Sequence, residues 1–164
     1  MQEPTQQAHL FLTYAAPCHS FVVVIQSSRT FLAIDYGARR IGLAKSDPSG
    51  TIATALTTIV VKSDQEAFKK LANVIEEVKP SALVIGYPLN DDGTENDACG
   101  KVNAFVEKLS RLFDGPIHKV DEFGTSEEAV GIIHAHGKRA GKKKQRIDRL
   151  AAVIILQRFL DEQK

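Results

Sequence analysis

The stretch Ala82–Pro88, ALVIGYP, carries no charge and no alternation of apolar and polar side chains. A strand with one face in water alternates. One without alternation is buried on both faces, as in a parallel sheet covered by helices. Its flanks agree. Upstream, DQEAFKKLANVIEEVK repeats its apolar residues at helical spacing through Phe68, Leu71, Ala72, Ile75 and Val78, and Pro80 marks the stop. Downstream, the loop LNDDGTEND leads into a second helical pattern through Val102, Phe105, Val106 and Leu109. A buried strand between two helices excludes an all-β or an all-α chain.

The rest of the order follows from the same rules. FLAIDY and IGLAKS read as two strands joined by GARR, with Gly37 at the permissive turn position, and TIATALTTIVV adds a third run rich in β-branched residues. No helix separates these three, so they pair antiparallel. PIHKVDE forms a last strand. TSEEAVGIIHAHG predicts a helix that opens on hydroxyl caps and stops at Gly137, and RIDRLAAVIILQRFLDE closes the chain as a strongly apolar helix. The expected class is α/β: a mixed five-stranded sheet, three antiparallel strands then alternating helix and strand, with helices on both faces. At 164 residues there is length for one ordinary domain, placed at residues 29–164. Residues 1–28 read as an N-terminal extension of unknown role, with neither the basic start of a secretory signal nor the arginines of a transit peptide.

Charge is unevenly spread. The net charge is +1, yet GKRAGKKKQRIDR (Gly137–Arg149) carries +6 and leaves −5 for everything else. A concentrated basic strip on a mildly acidic body suits a polyanionic partner, although such runs are usually solvated loops. The two cysteines, Cys18 and Cys99, lie far apart and form no metal-binding or disulfide pattern, which fits a reducing compartment such as the cytoplasm. No apolar run approaches membrane-spanning length, so no membrane partner is expected.

Three acids stand in costly places. Asp35 interrupts the apolar strand FLAIDY, on the face shared by Phe31 and Ala33, at a carboxyl end of the sheet where open α/β folds gather ligands. Glu122 follows the last strand directly, at another carboxyl end. An acid there also answers the dipole of the helix that follows, an equally good account of it taken alone. Asp148 heads the helical face formed with Ala151, Ala152, Ile155, Leu156 and Phe159. Helix-dipole complementation does not explain why a carboxylate shares the buried stripe. Three carboxylates gathered at one edge would repel, and a divalent cation with oxygen ligands, Mg²⁺ or Mn²⁺, is the simplest neutraliser. Two such ions activate a water and stabilise the leaving oxygen in phosphodiester cleavage. With the basic strip attached to the Asp148 helix, the composite points to a nuclease.

LAIDYGARRIGLAKSDPSG, LVIGYPLNDDGTEN, VDEFGTSEEA and KKKQRIDRLAAVIILQRFL together resemble the motifs of the YqgF family of the ribonuclease H-like superfamily. The resemblance runs from Arg29 onward. It implies a ribonuclease H-like fold and a metal-dependent nuclease that matures the 5′ end of the 16S rRNA precursor, or a resolvase of Holliday junctions. The family's acids fall on Asp35, Glu122 and Asp148. Gly37 and Arg40 match the first hairpin, and Gly86, Pro88 and Gly93 match the Gly-x-Pro loop and its turn. The family has arginine where this chain has Phe123, a loss of a phosphate- or carboxylate-binding guanidinium.

The expectations are therefore Asp35, Glu122 and Asp148 as catalytic and metal-binding residues. Arg40, Lys138, Arg139, Lys142, Lys143, Lys144 and Arg146 are expected to grip nucleic acid, a structured RNA precursor or branched DNA, in a monomer or homodimer. Two other classes compete. IDYG in a strand-turn-strand also resembles the phosphate loop of actin-like ATPases, but those close two such domains around a nucleotide and this chain has length for one. A non-catalytic RNA-binding assembly factor would keep fold and strip without turnover. GKRAGKKK has the wrong spacing for a P-loop and no strand before it, His134 and His136 receive no role, and there is no nucleophile elbow.

Overall fold

A computed structural model describes residues 29–122, 124–125, 129, 131–132 and 143–164. The expected extension at residues 1–28 and most of the helix expected to stop at Gly137 lie outside the described residues. Among the described residues, five strands and three long helices follow in chain order: β1 (Phe31–Tyr36), β2 (Arg40–Ser46), β3 (Ala53–Val60), α1 (Asp64–Val78), β4 (Ala82–Tyr87), α2 (Asp97–Leu109), β5 (Ile117–Asp121) and α3 (Lys143–Glu162).

The strands form one sheet in the order β3-β2-β1-β4-β5. β1 pairs antiparallel with β2, and β2 with β3, while β4 runs parallel to β1 on one side and β5 on the other. ALVIGY is thus the strand between two parallel neighbours, and every one of its residues is buried.

Alternation along the strands divides the core into two layers. Leu32, Ile34, Ile41, Leu43, Leu83 and Ile85 turn to one face, where Leu71 of α1 and Val102, Phe105 and Leu109 of α2 close over them. Ala33, Ala44, Val84 and Val120 turn to the other, against Ala152, Ile155, Leu156, Phe159 and Leu160 of α3. The small side chains of β1 and β2 on this second face let α3 lie close. Gln157 locks its position: its Oε1 accepts the Ala53 N–H at 3.0 Å and its Nε2 donates to the Thr51 carbonyl at 3.1 Å, which also satisfies backbone at the outer end of β3.

The helix ends obey local chemistry. Ser63 caps α1 by accepting the Glu66 N–H. Pro80 stands beyond its end, but the stop itself is Lys79, in the left-handed region at φ 48°, whose N–H donates to the Ile75 carbonyl at 2.8 Å. Asn96 caps α2, with Cys99 Sγ accepting the Asn96 N–H at 3.5 Å in the return half of a capping box. No helix among the described residues is long and apolar enough to cross a membrane.

Candidate active site

All parallel strands end at one rim, and the α3 face of that rim is where the three acids come. Asp35, next to last in β1, lies on the Ala33 face. Its partner across the hairpin is Gly42 of β2. On the other side, β4 runs in register with β1 through the pair Ile34 and Ile85, which places Gly86 beside Asp35. Asp35 is therefore flanked on both sides by residues without side chains. The two gaps are used. A Cβ on Gly42 would stand 2.0 Å from the Asp148 carbonyl oxygen, so the second turn of α3 lies directly on β2 there. A Cβ on Gly86 would stand 2.2 Å from Glu122 Oε2 and 2.8 Å from Ile155 Cδ1, so the Glu122 carboxylate fills that gap. At Gly42 the approach of helix backbone excludes a side chain, and at Gly86 an added methyl would displace the side-chain ends of Glu122 and Ile155; neither glycine is there for backbone conformation.

Glu122 is held by its own backbone. Its N–H donates to the Tyr87 carbonyl at 3.2 Å, extending the β4–β5 ladder by one step, and its carbonyl accepts from both the N–H (3.0 Å) and the hydroxyl (2.8 Å) of buried Thr125. Asp148 is held by Arg40, whose Nε donates to Oδ2 at 2.7 Å across 108 positions of sequence, with the side chains 27% and 17% exposed.

The electrostatics record the crowding. Burial, then the charge of Glu122, then that of Asp148 push the Asp35 carboxyl up to about 7. Glu122 is also raised, by burial and by neighbouring Asp121. The acids thus share a rim and a field. They are not drawn into a finished cage: among the described residues no group of three or more His, Cys, Asp or Glu side chains is arranged to hold a metal ion. The donor set nonetheless fits a hard divalent cation, since it offers carboxylate oxygens alone at a place where burial and like charge already oppose ionisation. Arg40 meanwhile occupies one oxygen of Asp148.

Of the expected nucleic-acid contacts, Arg40 lies at the site with its Nε on Asp148. Lys144 is exposed and Arg146 half-buried in the first turn of α3. Lys143 begins that helix, but its side chain, like Lys138, Arg139, Lys142, Phe123, His134 and His136, falls outside the described residues. Sequence reasoning missed the role of Gly42 and the pairing of Arg40 with Asp148. The first was within reach: counting back from the GARR turn sets Tyr36 against Ile41 and Asp35 against Gly42. The second joins segments at opposite ends of the domain and leaves no local pattern.

Comparison with known proteins bears on the family and the fold. A family model described as "RuvX: Holliday junction resolvase" matches residues 29–162. A protein of Syntrophus aciditrophicus (strain SB) named "Putative pre-16S rRNA nuclease" is 40% identical over 130 residues, covering 79% of this chain and 87% of its own. A protein of the same name from Thermoanaerobacter pseudethanolicus (strain ATCC 33223 / 39E) is 42% identical over 135 residues, covering 81% and 96%. Among solved structures, T. thermophilus RuvC in complex with a Holliday junction substrate superposes with a TM-score of 0.50 at 15% identity, covering 82% of this chain and 95% of that one. That likeness concerns the fold, a RuvC-like, ribonuclease H-like mixed sheet. With the family model matching residues 29–162 and two relatives 40% and 42% identical covered over 87% and 96% of their own length, the chain belongs to the RuvX family.

Proposed function

We propose that this protein is a metal-dependent nuclease that trims the 5′ end of the 16S rRNA precursor in the cytoplasm. The observation that carries the reading is the Asp35 carboxyl, half-buried between two glycines beside Glu122 and Asp148, where desolvation first and then those two charges push it up to about 7. Strongly perturbed carboxyls gather at functional sites, and a divalent cation with oxygen ligands would relieve this repulsion. The names of the relatives supply the substrate.

Asp35, Glu122 and Asp148 would hold Mg²⁺ or Mn²⁺. Once bound, such an ion supplies Lewis acidity at the scissile phosphate and lowers the pKa of a coordinated water. Each remaining task falls to the chain itself. Asp35 gives up its proton to become a ligand, so binding strengthens as pH rises. Arg40 lets go of Asp148 and offers its guanidinium to the phosphate, for which a planar fork is suited. Lys144 and Arg146, with Lys138, Arg139, Lys142 and Lys143 of the same strip, hold the backbone on either side.

The family description favours a second reading, resolution of branched DNA. One assay separates them: the full chain with Mg²⁺ or Mn²⁺ is offered a 16S precursor carrying its 5′ extension and a four-way DNA junction, with Asp148→Asn as control. Cleavage of the precursor alone, lowered more than about 100-fold in Asp148→Asn, is the expected result, since even residues that only support a metal ligand cost about 10- to 100-fold. Paired cuts in the junction, by a chain that elutes as a dimer, would replace the proposal with the resolvase reading. Binding without cutting of either substrate would leave an assembly factor.

A further inference from the structure

We infer that the cleft between the β1–β2 turn and the end of β3 is a second phosphate-binding subsite, which takes the sugar–phosphate backbone of the RNA beyond the scissile bond through Arg39 and Lys62. The inference rests on the nuclease reading of the rim and names how the substrate is held there.

The cleft has a volume of about 560 Å³ and is lined by Ala38, Arg39, Arg40, Val60, Val61 and Lys62. That volume lies within the range of sites that take small ligand groups. Its frame is hydrogen-bonded. The Gly37 N–H donates to the Arg40 carbonyl at 3.0 Å to close the turn, and the Val61 N–H donates to the Arg39 carbonyl at 3.1 Å, fastening the turn to the end of β3. Arg40 faces Val60 in the β2–β3 ladder. Arg39 and Lys62 thus stand on backbone that the sheet positions.

The charge is in excess. Three cations line the cleft: Arg40 is hydrogen-bonded to Asp148, and the charge of Lys62 acts on Glu66 only through space. Among the described residues neither Arg39 nor Lys62 is in an ion pair, and both are exposed. Glu66, the acid beside Lys62, has its Oε1 on Lys70 at 2.7 Å and its Oε2 on the Lys62 backbone N–H at 2.9 Å. Position supplies the link to the acids. Arg40 lines the cleft and touches Asp148, while Thr58, two residues before Val60, donates its hydroxyl to the Gln145 carbonyl at 2.7 Å. The cleft, the acids and the first turn of α3, with Lys144 and Arg146, therefore form one stretch of the rim. The lining contains no aromatic ring on which a base could stack and no carboxylate to read one. It suits backbone, not sequence.

The test uses the full chain carrying Asp35→Asn, so that RNA is not cut, and a fluorescently labelled 16S precursor segment titrated by anisotropy between about 50 and 200 mM salt. Adding Arg39→Gln with Lys62→Gln is expected to flatten the slope of log affinity against log salt by about 1.4 to 1.8, two phosphate contacts, equally for unrelated RNA sequences. Adding Arg39→Lys with Lys62→Arg instead should keep the slope, and circular dichroism melts report whether each chain is folded. An unchanged slope in the glutamine pair overturns the subsite and leaves the nuclease reading standing. Failure of the Asp35→Asn chain to bind RNA at all overturns both.

Discussion

Asp35 has the opposite pH behaviour from an ordinary paired carboxylate. Its ordinary value is 3.8, and burial with two acid neighbours pushes it up to about 7, so between those limits the folded chain holds a proton that the unfolded chain has lost. Stability therefore falls as pH rises through that window, and the loss is complete above it. Glu122 is raised too and adds in the same direction. Thermal melts without metal should give a lower Tm at pH 8 than at pH 5. Asp35→Asn should flatten the profile and melt higher than the parent at pH 8. A wild-type Tm independent of pH over this range would remove the crowding from the account. Arg40 is the second informative residue. Its hydrogen bond to Asp148 is charge-assisted and partly screened, so Arg40→Gln should destabilise the metal-free chain by about 1–2 kcal/mol. Because the same change frees an oxygen of Asp148, Mn²⁺ should then raise the Tm of the variant more than that of the parent. Equal increments in melts with and without Mn²⁺ would mean that Arg40 and the ion do not compete.

Among the elements, β2 and β4 matter for what they lack. The two glycines beside Asp35 face different neighbours, and this predicts different failures. At Gly42 an added methyl meets helix backbone at 2.0 Å, which only a shift of α3 relieves, so Gly42→Ala should cost about 1–3 kcal/mol in denaturant titrations as well as activity. At Gly86 the nearest atom is the end of the Glu122 side chain, which can swing away, so Gly86→Ala should lose cleavage with the smaller loss of stability. The reverse order would mean that the approach of α3 to β2 is looser than described. Strand and helix identity was legible because it is written locally: the unbroken ALVIGY, the stripe headed by Asp148, the β-branched run TIATALTTIVV. The details that shape the site were not. Pro80 is a reliable stop signal, yet the α1 terminus is set one residue earlier by Lys79 in the left-handed region, a conformation that lysine does not advertise. The closeness of Gly42 to Asp148 and the bond between Arg40 and Asp148 depend on how a helix at the far end of the chain lands on the first hairpin.

At the scale of the molecule, the acids come from β1, from the residue after β5 and from the second turn of α3, and the order β3-β2-β1-β4-β5 brings these places to one rim. The rule that ligands gather at the carboxyl edge of an open sheet pointed to this rim, and the costly positions of Asp35, Glu122 and Asp148 pointed to these acids before the motif resemblance named the same three. Neither disclosed that Asp148 is turned to Arg40, nor that the positive charge continues from the α3 head to the cleft beside β3, because both are properties of assembled surfaces. The central claim is that these carboxylates together bind a divalent ion. It is tested most directly by calorimetric titration of Mn²⁺ into the metal-free chain and into Asp35→Asn, Glu122→Gln and Asp148→Asn, at pH 7 in buffers of different ionisation heat. The account predicts saturable binding with proton release in the parent, at least about tenfold weaker binding in each variant, and little or no proton release from Asp35→Asn. Unchanged affinity in Asp148→Asn, or binding without proton release in the parent, would contradict it.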